Sequence, residues 1–538
     1  MVDEVEARPL PADDSLAQVK SFADLGRVWF IGIGGSGMSV LAQMLHEAGV
    51  PVSGSDRTAS HYTEHLESIG IPVTIGQKPE NIHDVDTVVW SSAISADAPE
   101  MLEARRQGLL LAHRSDILAL FLRTRNSIAV AGTHGKTTTS SMLATIFANA
   151  HAAGEVAATE DAAAAGDASV AGDAAFADPS FAIGGSVKTA HGTIPGGHVG
   201  TGSWMVAEAD ESDGSFEKYR PLIGVVTNAE GDHLDHYGTV AHYRSAFAAY
   251  IGHIQRAVVL CGDDEGAREV YNSLEPRIQQ QVWVYSTDNL EKLGLPGLSE
   301  KNFVQIVTSQ EMVADKPTEH GGIEETLTVR IPSSLVDGGA QVSIGLHVPG
   351  IHNARNATAA LTAALLAGVS LPGVVHGLES FLGAARRFDF QGEVNGVSLY
   401  NDYGHHPTEV ATFLRAARRR FPHSTLRVLF QPHTYSRTQT FTKELVDALD
   451  IADDVYLSHL FAARELASDY PGISTQTLID EAKKRGIDAK FHYIDDMYEA
   501  GIAMAHASHP GDILSTVGGG DINLVNPTIL DALHTLDR

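Results

Sequence analysis

Short runs of apolar residues alternate along the chain with longer stretches in which apolar residues recur every three or four positions. This alternation predicts parallel strands covered by helices, the βαβ arrangement of α/β proteins. Ligands of open α/β sheets bind beyond the carboxyl ends of the strands, so the polar residues found there are the first candidates for chemistry. The runs predicted to form strands are RVWFIGIG, VDTVVWSSA, NSIAVAG, SWMVAEAD, LIGVVTN, RVLFQPH, DDVYLSHLF and DILSTVGGG.

One segment interrupts this rhythm. Residues 150–179 are nearly all Ala, Gly, Asp and Glu, and Phe176 is their one Phe, Tyr or Trp. A segment of this composition cannot bury enough apolar surface to form a core. The sequence therefore predicts a disordered or loosely helical surface insertion, with an Ala-rich helix as the alternative because Ala is the strongest helix former.

Length and charge narrow the class of protein. A chain of 538 residues with 43% hydrophobic residues is too long for one core and predicts several domains. Its net charge of −29 argues against a broad surface for nucleic acid or anionic membrane. A single cysteine, Cys261, fits a reducing compartment, and neither a signal peptide nor a membrane-spanning apolar run is found. We expect a cytoplasmic protein that binds neither nucleic acid nor membrane.

A first glycine loop lies near the amino terminus, in FIGIGGSGMSVLAQMLHEAG. Gly32, Gly34 and Gly37 form a GxGxxG pattern between a strand and a helix, and Asp56 ends the next strand. This pattern is typical of Rossmann-like folds, in which the helix N-terminus offers N–H groups to a phosphate. A dinucleotide and a nucleotide-diphosphate sugar both fit, and a glycine turn without a ligand is the alternative.

A second glycine loop, GTHGKTTT, follows about a hundred residues later. A complete P-loop has Gly five positions before its Gly-Lys pair, and Val130 stands there instead. The loop can still bind phosphate as a P-loop does, because its backbone N–H groups can surround a phosphate and Lys136 can reach the terminal phosphates. The Thr137 hydroxyl is then the expected ligand of Mg²⁺.

Two later strand ends carry further polar residues. SWMVAEAD ends in acid, with Glu208 first, and LIGVVTNAEGDHLD supplies Asn228 and His233. Mg²⁺ prefers oxygen ligands, so one carboxylate with Thr137 and phosphate oxygens is a plausible set. His233 is a chemically less expected ligand, and solvated loop residues are the alternative for each acid.

Eight motifs in order give a specific resemblance: GIGGSGMS, GTHGKTTT, VAEADESD, TNAEGDHLD, GIHNARNATAA, GAARRFDF, YNDYGHHPTEV and FQPHTYSRT. With them the chain resembles the Mur ligases over nearly its whole length, apart from the insertion and about the first twenty residues. The resemblance implies an α/β protein of three domains, each with a mostly parallel sheet flanked by helices. Residues 1–124 would bind a UDP substrate, 125–383 would bind ATP, and 384–538 would close over ATP and an amino acid.

The resemblance also implies an activity. Within the family the motifs are most similar to the branch that joins L-alanine to UDP-N-acetylmuramate in peptidoglycan precursor synthesis. That branch uses ATP and Mg²⁺ and passes through an acyl phosphate. A recycling ligase that attaches a whole tripeptide to the same UDP-sugar shares most of the motifs and is the alternative. We expect a monomer or weak homodimer.

Site residues follow from the motif positions. The resemblance implies ATP binding by Gly132, Thr133, His134, Gly135, Lys136, Thr137, Thr138, Asn353, Asn356, Arg387 and Asp402. It implies contact with the UDP substrate by Gly32, Gly34, Gly35, Ser36, Gly37, Asp56 and Ser91. It implies contact with the amino acid by His405, His406, His433 and Arg437. The implied catalytic residues are Lys136, Glu208, His233 and Arg387, and the implied metal ligands are Thr137, Glu208 and His233.

Several of these residues have simpler interpretations. Asn353 and Asn356 have the residue type that caps helices. For the three histidines the alternative is a packed or an exposed side chain without a ligand, and for Arg387 it is an ordinary surface charge, of which Arg386 beside it is the likelier candidate. Thr434 departs from the family's pattern, since Arg is common at that position, and one contact of that loop is expected to be lost.

Overall fold

The computed structural model describes residue 19 and residues 21–161, 176–189, 192–312, 323–463 and 465–535. The chain divides into two compact units. The first contains the described residues of 1–308, 327–344 and 355–381, and the second those of 309–326, 345–354 and 382–538.

The first unit begins with a five-stranded sheet in the order β3-β2-β1-β4-β5, and all its strand pairs are parallel. The strands are β1 (Val28–Ile31), β2 (Val52–Asp56), β3 (Val73–Ile75), β4 (Thr87–Trp90) and β5 (Leu110–His113). The helices are Ser36–Glu47, His61–Ser68, Pro99–Gln107 and Arg114–Thr124, with 3₁₀ turns at Phe22–Leu25 and Pro79–Asn81. Every residue of β1 is buried, as a central strand covered on both faces requires.

A ten-stranded sheet follows in the order β10-β7-β11-β6-β12-β13-β14-β15-β16-β17. Its strands, with the β8–β9 hairpin that stands apart, are β6 (Asn126–Ala131), β7 (Ser180–Ala182), β8 (Val187–Thr189), β9 (Gly192–Ile194), β10 (Gly197–His198), β11 (Trp204–Glu208), β12 (Ile223–Val226), β13 (Ala257–Cys261), β14 (Val282–Ser286), β15 (Phe303–Glu311), β16 (Glu325–Ile331) and β17 (Ala340–Leu346). The strands from β7 to β15 in that order pair in parallel, and β10 is antiparallel to β7.

The helices of this part of the chain are mostly short. They are Lys136–Asp161, Leu234–Tyr237, Val240–Gly252, Glu265–Ser273, Pro276–Gln279, Leu290–Leu293, Ile351–Ala367 and Leu371–Glu379, with 3₁₀ turns at Ser215–Lys218 and Glu300–Asn302. The core beneath the sheet contains fully buried aromatic residues, among them Phe216, Tyr243 and Phe247. One of them, Tyr243, has its hydroxyl 2.8 Å from that of Thr133 in the second glycine loop.

The second unit contains a six-stranded sheet in the order β18-β19-β23-β20-β21-β22. Its strands are β18 (Asp389–Val394), β19 (Val397–Asp402), β20 (Leu426–Phe430), β21 (Asp454–Leu457), β22 (Phe491–Tyr493) and β23 (Ile513–Val517). Only the β18–β19 pair of this sheet is antiparallel. The helices are Pro407–Arg420, Tyr435–Thr440, Thr442–Leu449, Gln476–Arg485, Met497–His506 and Asn526–His534, with 3₁₀ turns at Ala467–Asp469, Asp488–Lys490 and Ile522–Val525.

Three mostly parallel sheets flanked by helices confirm the fold class expected from the alternation of apolar runs. The domain limits at residues 124 and 383 stay predictions. Among the described residues, no helix is both long and apolar enough to cross a membrane.

The low-complexity segment agrees with the Ala-rich helical alternative at its beginning and differs from the predicted surface insertion at its end. The Lys136–Asp161 helix runs well into it, as the Ala-rich alternative expects, and residues 162–175 lie outside the described part of the chain. Phe176 is only 4% exposed, and its ring lies 5.2 Å from that of Phe147 and 5.8 Å from that of Trp204. The expectation that the whole segment stays outside the core is therefore wrong at Phe176, because one aromatic side chain finds two partner rings that the composition does not reveal.

Candidate active site

The second glycine loop lies between two strand ends. Strand β6 pairs in parallel with β11 on one side and β12 on the other, with Val130 opposite Glu208 and Ala131 opposite Val226. The loop leaves β6 at Gly132, and the helix begins at Lys136. The residues that follow β11 and β12 therefore flank the loop, as the sequence predicts for a parallel sheet.

Close contacts fix the shape of this loop. Gly132 and Gly135 have φ of 142° and 84°, where a side chain is strained. A Cβ at Gly135 would lie 2.5 Å from Asn356 Oδ1, and one at Gly132 would overlap Thr227 Oγ1. Asn228 holds the backbone of His134 from both directions, accepting from its N–H at 2.9 Å and donating to its carbonyl at 2.9 Å.

The rest of the loop is held by the protein interior. The Thr133 hydroxyl donates to the Glu230 carbonyl at 2.7 Å and lies 2.8 Å from the Tyr243 hydroxyl. Thr138 is buried in the first turn of the helix that follows. The loop is thus rigid where it must present backbone N–H groups, which is the property a phosphate site needs.

Lys136 is a largely buried cation with carboxylates near it. Its Nζ lies 2.8 Å from Glu211 Oε2 and donates to the carbonyls of Gly132 and Thr133. Burial favours the neutral amine, but the carboxylates of Glu211, Asp210 and Glu208 together outweigh it and raise the pKa of Lys136. Lys136 is therefore charged at neutral pH.

Glu211 was not singled out from the sequence. It is 1% exposed, and burial raises its pKa although Lys136 opposes that shift. The acidic run that begins with the last residue of β11 is the available signal, but it holds four acids, and their order does not tell which of them faces the lysine.

The three predicted metal ligands lie around the same loop. Glu208 accepts a hydrogen bond from Gly184 N at 2.9 Å, and a Cβ at the adjacent Gly185 would lie 3.2 Å from Thr137 Cγ2. His233, at φ of 51°, has its Nε2 3.9 Å from Glu211 Oε1 and 3.7 Å from an oxygen of Asp232.

This set of residues fits a triphosphate with Mg²⁺. Three carboxylates act on the lysine of the loop and Arg114 pairs with one of them, so one carboxylate remains in excess for a hard divalent cation. A hydroxyl and a carboxylate, from Thr137 and Glu208, are ligand types that Mg²⁺ takes together with phosphate oxygens and water. Their roles as ligands stay predictions.

The first glycine loop is built differently. Gly34 N donates to Asp56 Oδ2 at 2.8 Å, and a Cβ at Gly34 would lie 2.8 Å from Thr63 Cγ2. Gly32 has φ of 77°, and Gly35 is the residue before the Ser36–Glu47 helix, of which Gly37 is the second residue. The side chain of Asp56 thus holds the loop by a hydrogen bond to the backbone of Gly34.

The remaining residue of the predicted UDP-substrate group is Ser91. It follows β4, is 8% exposed, and its carbonyl accepts from Ile94 N at 2.8 Å. It lies at the carboxyl edge of the sheet, as does the glycine loop after β1. Direct contact of this group with a ligand stays a prediction.

In the second unit, Asp402 ends β19 and is 7% exposed. Burial raises its pKa to about 6, although its carboxylate accepts hydrogen bonds from Phe388 N and Gly404 N at 2.9 and 2.8 Å. Arg387 has Nη1 3.7 Å from Glu409 Oε1 and lies over the Tyr403 ring.

The neighbouring Arg386 is not the surface charge that we expected. Its Nη2 donates to the carbonyls of Gly518 and Gly520 at 2.7 and 3.0 Å. The reason is that three glycines follow β23, and the carbonyls of two of them accept from the guanidinium. Arg386 therefore braces that turn, and Arg387 remains the candidate for contact with a substrate.

Three of the four predicted amino-acid-contacting residues form one cluster. The rings of His405 and His433 lie 5.0 Å apart, and Arg437 Nη1 lies 3.1 Å from His433 Nδ1. Burial lowers the pKa of His405 well below its usual value, and Arg437 adds to that shift.

His406 has a different position. It is 4% exposed, immediately precedes the Pro407–Arg420 helix, and has its ring edge-on to Phe441 at 4.8 Å. Its Nδ1 accepts weakly from Thr408 N at 3.4 Å, as a helix cap does. The interpretation as a packed histidine fits His406 better than it fits the other two.

Asn353 and Asn356 do not cap the helix that contains them. The helix begins at Ile351, and Asn353 Nδ2 donates to the carbonyl of Pro349 at 2.7 Å. Asn356 Oδ1 lies against Gly135 of the second glycine loop. The capping interpretation is therefore wrong for both, and Asn356 borders the predicted ATP site.

The fold and the loops define the class of protein: an α/β nucleotide-binding protein with two glycine loops of different construction. Matches to protein-family models narrow this class to one family. Models described as "Mur ligase family, catalytic domain", "Mur ligase middle domain" and "Mur ligase, glutamate ligase domain" match residues 27–126, 130–364 and 386–520. The chain belongs to the Mur ligase family.

Similar proteins are known by sequence and by structure. The UDP-N-acetylmuramate–L-alanine ligase of Bifidobacterium adolescentis is 46% identical over 529 residues, covering 97% of this chain and 96% of that protein. The ligase of the same name from Renibacterium salmoninarum is 39% identical over 514 residues, covering 95% of this chain and 97% of that protein.

Solved structures agree in fold. The UDP-N-acetylmuramate-alanine ligase of Thermotoga maritima superposes with a TM-score of 0.69 at 24% identity, covering 94% of this chain and 98% of that one. The murein peptide ligase of Psychrobacter arcticus gives a TM-score of 0.64 at 21% identity, covering 95% and 100%. Identity this low carries the fold and not the substrate.

Proposed function

We propose that this protein is an ATP-dependent ligase that joins L-alanine to UDP-N-acetylmuramate and releases ADP and phosphate. The observation that carries the proposal is the 46% identity, over 97% of this chain, to a protein named UDP-N-acetylmuramate–L-alanine ligase. The arrangement around Lys136 supports the ATP dependence, since a buried lysine in a glycine loop after a strand is what transfer of a terminal phosphoryl group uses.

The chemistry follows from the substrate. A carboxylate is a poor acyl donor because oxide would have to leave, so the terminal phosphoryl group of ATP first passes to the carboxylate of UDP-N-acetylmuramate. The amine of L-alanine then attacks the acyl phosphate, an amide bond forms, and phosphate leaves with the bonding electron pair. Both steps gather negative charge near the second glycine loop.

Residues around the second glycine loop would stabilise that negative charge. Lys136 leaves its hydrogen bonds to the loop carbonyls and follows the phosphoryl group, while Glu211 limits how far its amine can move. The N–H groups of the rigid loop hold the oxygens that stay behind. Thr137 and Glu208 would hold Mg²⁺, whose chemistry is to neutralise phosphate oxygens.

Residues of the second unit would bind the amino acid. In its cluster Arg437 contacts His433, and His405, whose pKa burial lowers, lies beside His433. An arginine matches the carboxylate of an amino acid, and a neutral histidine avoids repelling its amine. Arg387 and Asp402 would contact ATP as part of the same proposal.

The experiment is phosphate release with ATP, Mg²⁺ and UDP-N-acetylmuramate against a panel of L-Ala, Gly, L-Ser and the tripeptide L-Ala-γ-D-Glu-meso-diaminopimelate. The proposal expects release above background with L-alanine and a lower kcat/KM for every other acceptor. Preference for the tripeptide would contradict it and favour a recycling ligase. Release that needs no UDP-sugar would make the protein a plain ATPase.

A location and an assembly state belong to the same proposal. We propose that the protein works in the cytoplasm, because one buried cysteine fits a reducing compartment. We propose a monomer or weak homodimer that binds neither nucleic acid nor membrane, in keeping with its net charge of −29.

A further inference from the structure

Arg114 lies between the two glycine loops. It is the first residue of the Arg114–Thr124 helix, and its Nη1 is 3.4 Å from where a Cβ would stand at Gly37 of the first loop. Its Nη2 donates to Asp210 Oδ2 at 2.7 Å and lies 3.5 Å from Asp213 Oδ2. One guanidinium therefore touches the first loop and the acidic segment that follows β11.

That acidic segment also holds the second loop. Asp210 and Glu211 are consecutive residues, and Glu211 binds Lys136 Nζ. The path from one loop to the other runs from Gly37 to Arg114, through Asp210 and one peptide bond to Glu211, and on to Lys136. Each contact on the path is between a charged group and a neighbour at close range.

The segment is stiff enough to carry a displacement. Asp210 Oδ1 accepts from Ser212 N at 3.2 Å, and Asp213 accepts from Ser215 N at 3.1 Å and from the Ser92 hydroxyl at 2.9 Å. Despite the cost of burial, Asp210, Tyr219 and Asp213 raise the pKa of the Arg114 guanidinium, so it stays charged. Its planar fork can hold two anionic groups at once.

We propose that Arg114 is a positioning residue that couples the two nucleotide sites. This inference rests on the proposed function. A diphosphate at the first loop orients the guanidinium from the side of Gly37, which fixes Asp210 and, through Glu211, the position of Lys136. Binding at the first loop then improves binding of a triphosphate at the second, and by linkage the reverse holds to the same extent.

A matched control exists in the same region. Lys218 Nζ lies 2.6 Å from Asp116 Oδ1, so it joins the Arg114–Thr124 helix to the chain beyond the acidic segment. This ion pair is as short as that of Arg114, but neither residue contacts a glycine loop through it. Lys218→Gln removes a comparable link and should leave the coupling intact.

The experiment is titration calorimetry of a non-hydrolysable ATP analogue with Mg²⁺, with and without saturating UDP-N-acetylmuramate. The wild type should bind the analogue at least about fivefold more tightly when the UDP-sugar is present. Arg114→Gln and Asp210→Asn should bring this ratio to within about twofold of one, while the UDP-sugar still binds to each. Arg114→Lys, which keeps the charge but not the fork, should retain part of the ratio, and Lys218→Gln all of it.

The outcomes separate cleanly. An unchanged ratio in Arg114→Gln, or a wild-type ratio of one with both ligands bound, overturns the coupling. Loss of UDP-sugar binding in Arg114→Gln makes the arginine a direct ligand and also overturns it. A wild type that does not bind UDP-N-acetylmuramate at all refutes the proposed function instead. If Arg114→Gln does not fold, Asp210→Asn decides the same question from the other side of the ion pair.

Discussion

The two glycine loops share a local plan and differ in their surroundings. Each follows a buried strand and begins a helix, at Ser36 in one case and Lys136 in the other. At the first loop the contacting carboxylate, Asp56, accepts from the backbone of Gly34. At the second, a largely buried lysine lies near the carboxylates of Glu208, Asp210 and Glu211.

The difference teaches what separates holding a phosphate from transferring one. A diphosphate that stays intact needs N–H donors at a helix N-terminus, and glycine alone provides the close approach. Phosphoryl transfer also needs positive charge placed where negative charge gathers, which requires a lysine and the groups that keep it charged in a buried site. Neighbouring strand ends supply those groups, so the second loop depends on residues far away in sequence.

Substitution of Lys136 should have the largest effect, and it should act on the second loop alone. Lys136→Ala should lower kcat by about a hundredfold or more, since loss of a contact to transition-state charge costs about 3 kcal/mol or more. Affinity for UDP-N-acetylmuramate should change no more than a few-fold, because the first loop lacks this residue. Phosphate release measures the rate, and calorimetry measures the affinity. Loss of UDP-sugar binding in this variant would contradict the assignment of the two loops to different ligands.

Substitutions of two carboxylates around the second loop should differ in their effect on the Mg²⁺ requirement. Glu208→Ala should raise the Mg²⁺ concentration for half-maximal activity about tenfold, as expected for the loss of a direct ligand. Glu211→Gln, the matched variant, should lower kcat with a much smaller change in that concentration, because Glu211 contacts Lys136. Equal shifts in both variants would contradict the assignment of Glu208 to the metal.

The first loop should respond to its own glycine. Gly34→Ala places a Cβ 2.8 Å from Thr63 Cγ2 and 2.9 Å from Asp56 Oδ2, so the loop must move. We expect about tenfold weaker UDP-sugar binding, a loss of about 1.4 kcal/mol, and an unchanged affinity for the ATP analogue when that affinity is measured without the UDP-sugar. At Gly35 the nearest atom would be 3.4 Å away, so Gly35→Ala controls for the added methyl and should leave the melting temperature unchanged. A similar loss of ATP-analogue affinity measured without the UDP-sugar would show that the substitution also disturbs the second loop, and would contradict the separate roles of the two loops.

A smaller effect is expected at the far end of the helix behind the first loop. His198 Nε2 lies 2.6 Å from Asp178 Oδ1 and its Nδ1 3.6 Å from Glu47 Oε2. Glu47, and then Asp178 against the opposing effect of burial, raise the pKa of His198 to about 9. The folded-state pKa exceeds the unfolded value of about 6.5, so this stabilisation is complete below pH 6.5 and is lost as pH rises through 9.

The variant His198→Gln tests that pH dependence. Because the side chain is 38% exposed, solvent screening limits the effect to about 1 kcal/mol. Between pH 7 and 10 the wild type should lose that much more unfolding free energy than the variant, measured by urea titration. Parallel pH profiles of the wild type and the variant would show that the ion pairs of His198 do not stabilise this helix end.

The sequence predicted what depends on local pattern. The two loops, their strands and helices, and the acids at the ends of β11 and β12 follow from glycine spacing and from apolar runs. Parallel pairing of β6 with both neighbours then brings those ends together without further information.

What the sequence did not reveal depends on contacts between distant residues. Glu211 is one of four acids in a run, and only the path of the chain after β11 turns it toward Lys136. Arg114 stands in an ordinary helix start, yet its guanidinium reaches Asp210, 96 residues later. Phe176 lies in a low-complexity segment, and its burial depends on Phe147 and Trp204.

The central claim is that one loop holds a diphosphate that survives while the other serves a triphosphate spent on a carboxylate. UDP-N-acetylmuramate labelled with ¹⁸O in its lactyl carboxylate tests both halves in a single mass-spectrometric measurement after turnover with ATP and L-alanine. The account predicts that released phosphate carries one ¹⁸O atom and that the product retains its complete UDP group. Unlabelled phosphate, or a product cleaved within the diphosphate, would contradict it.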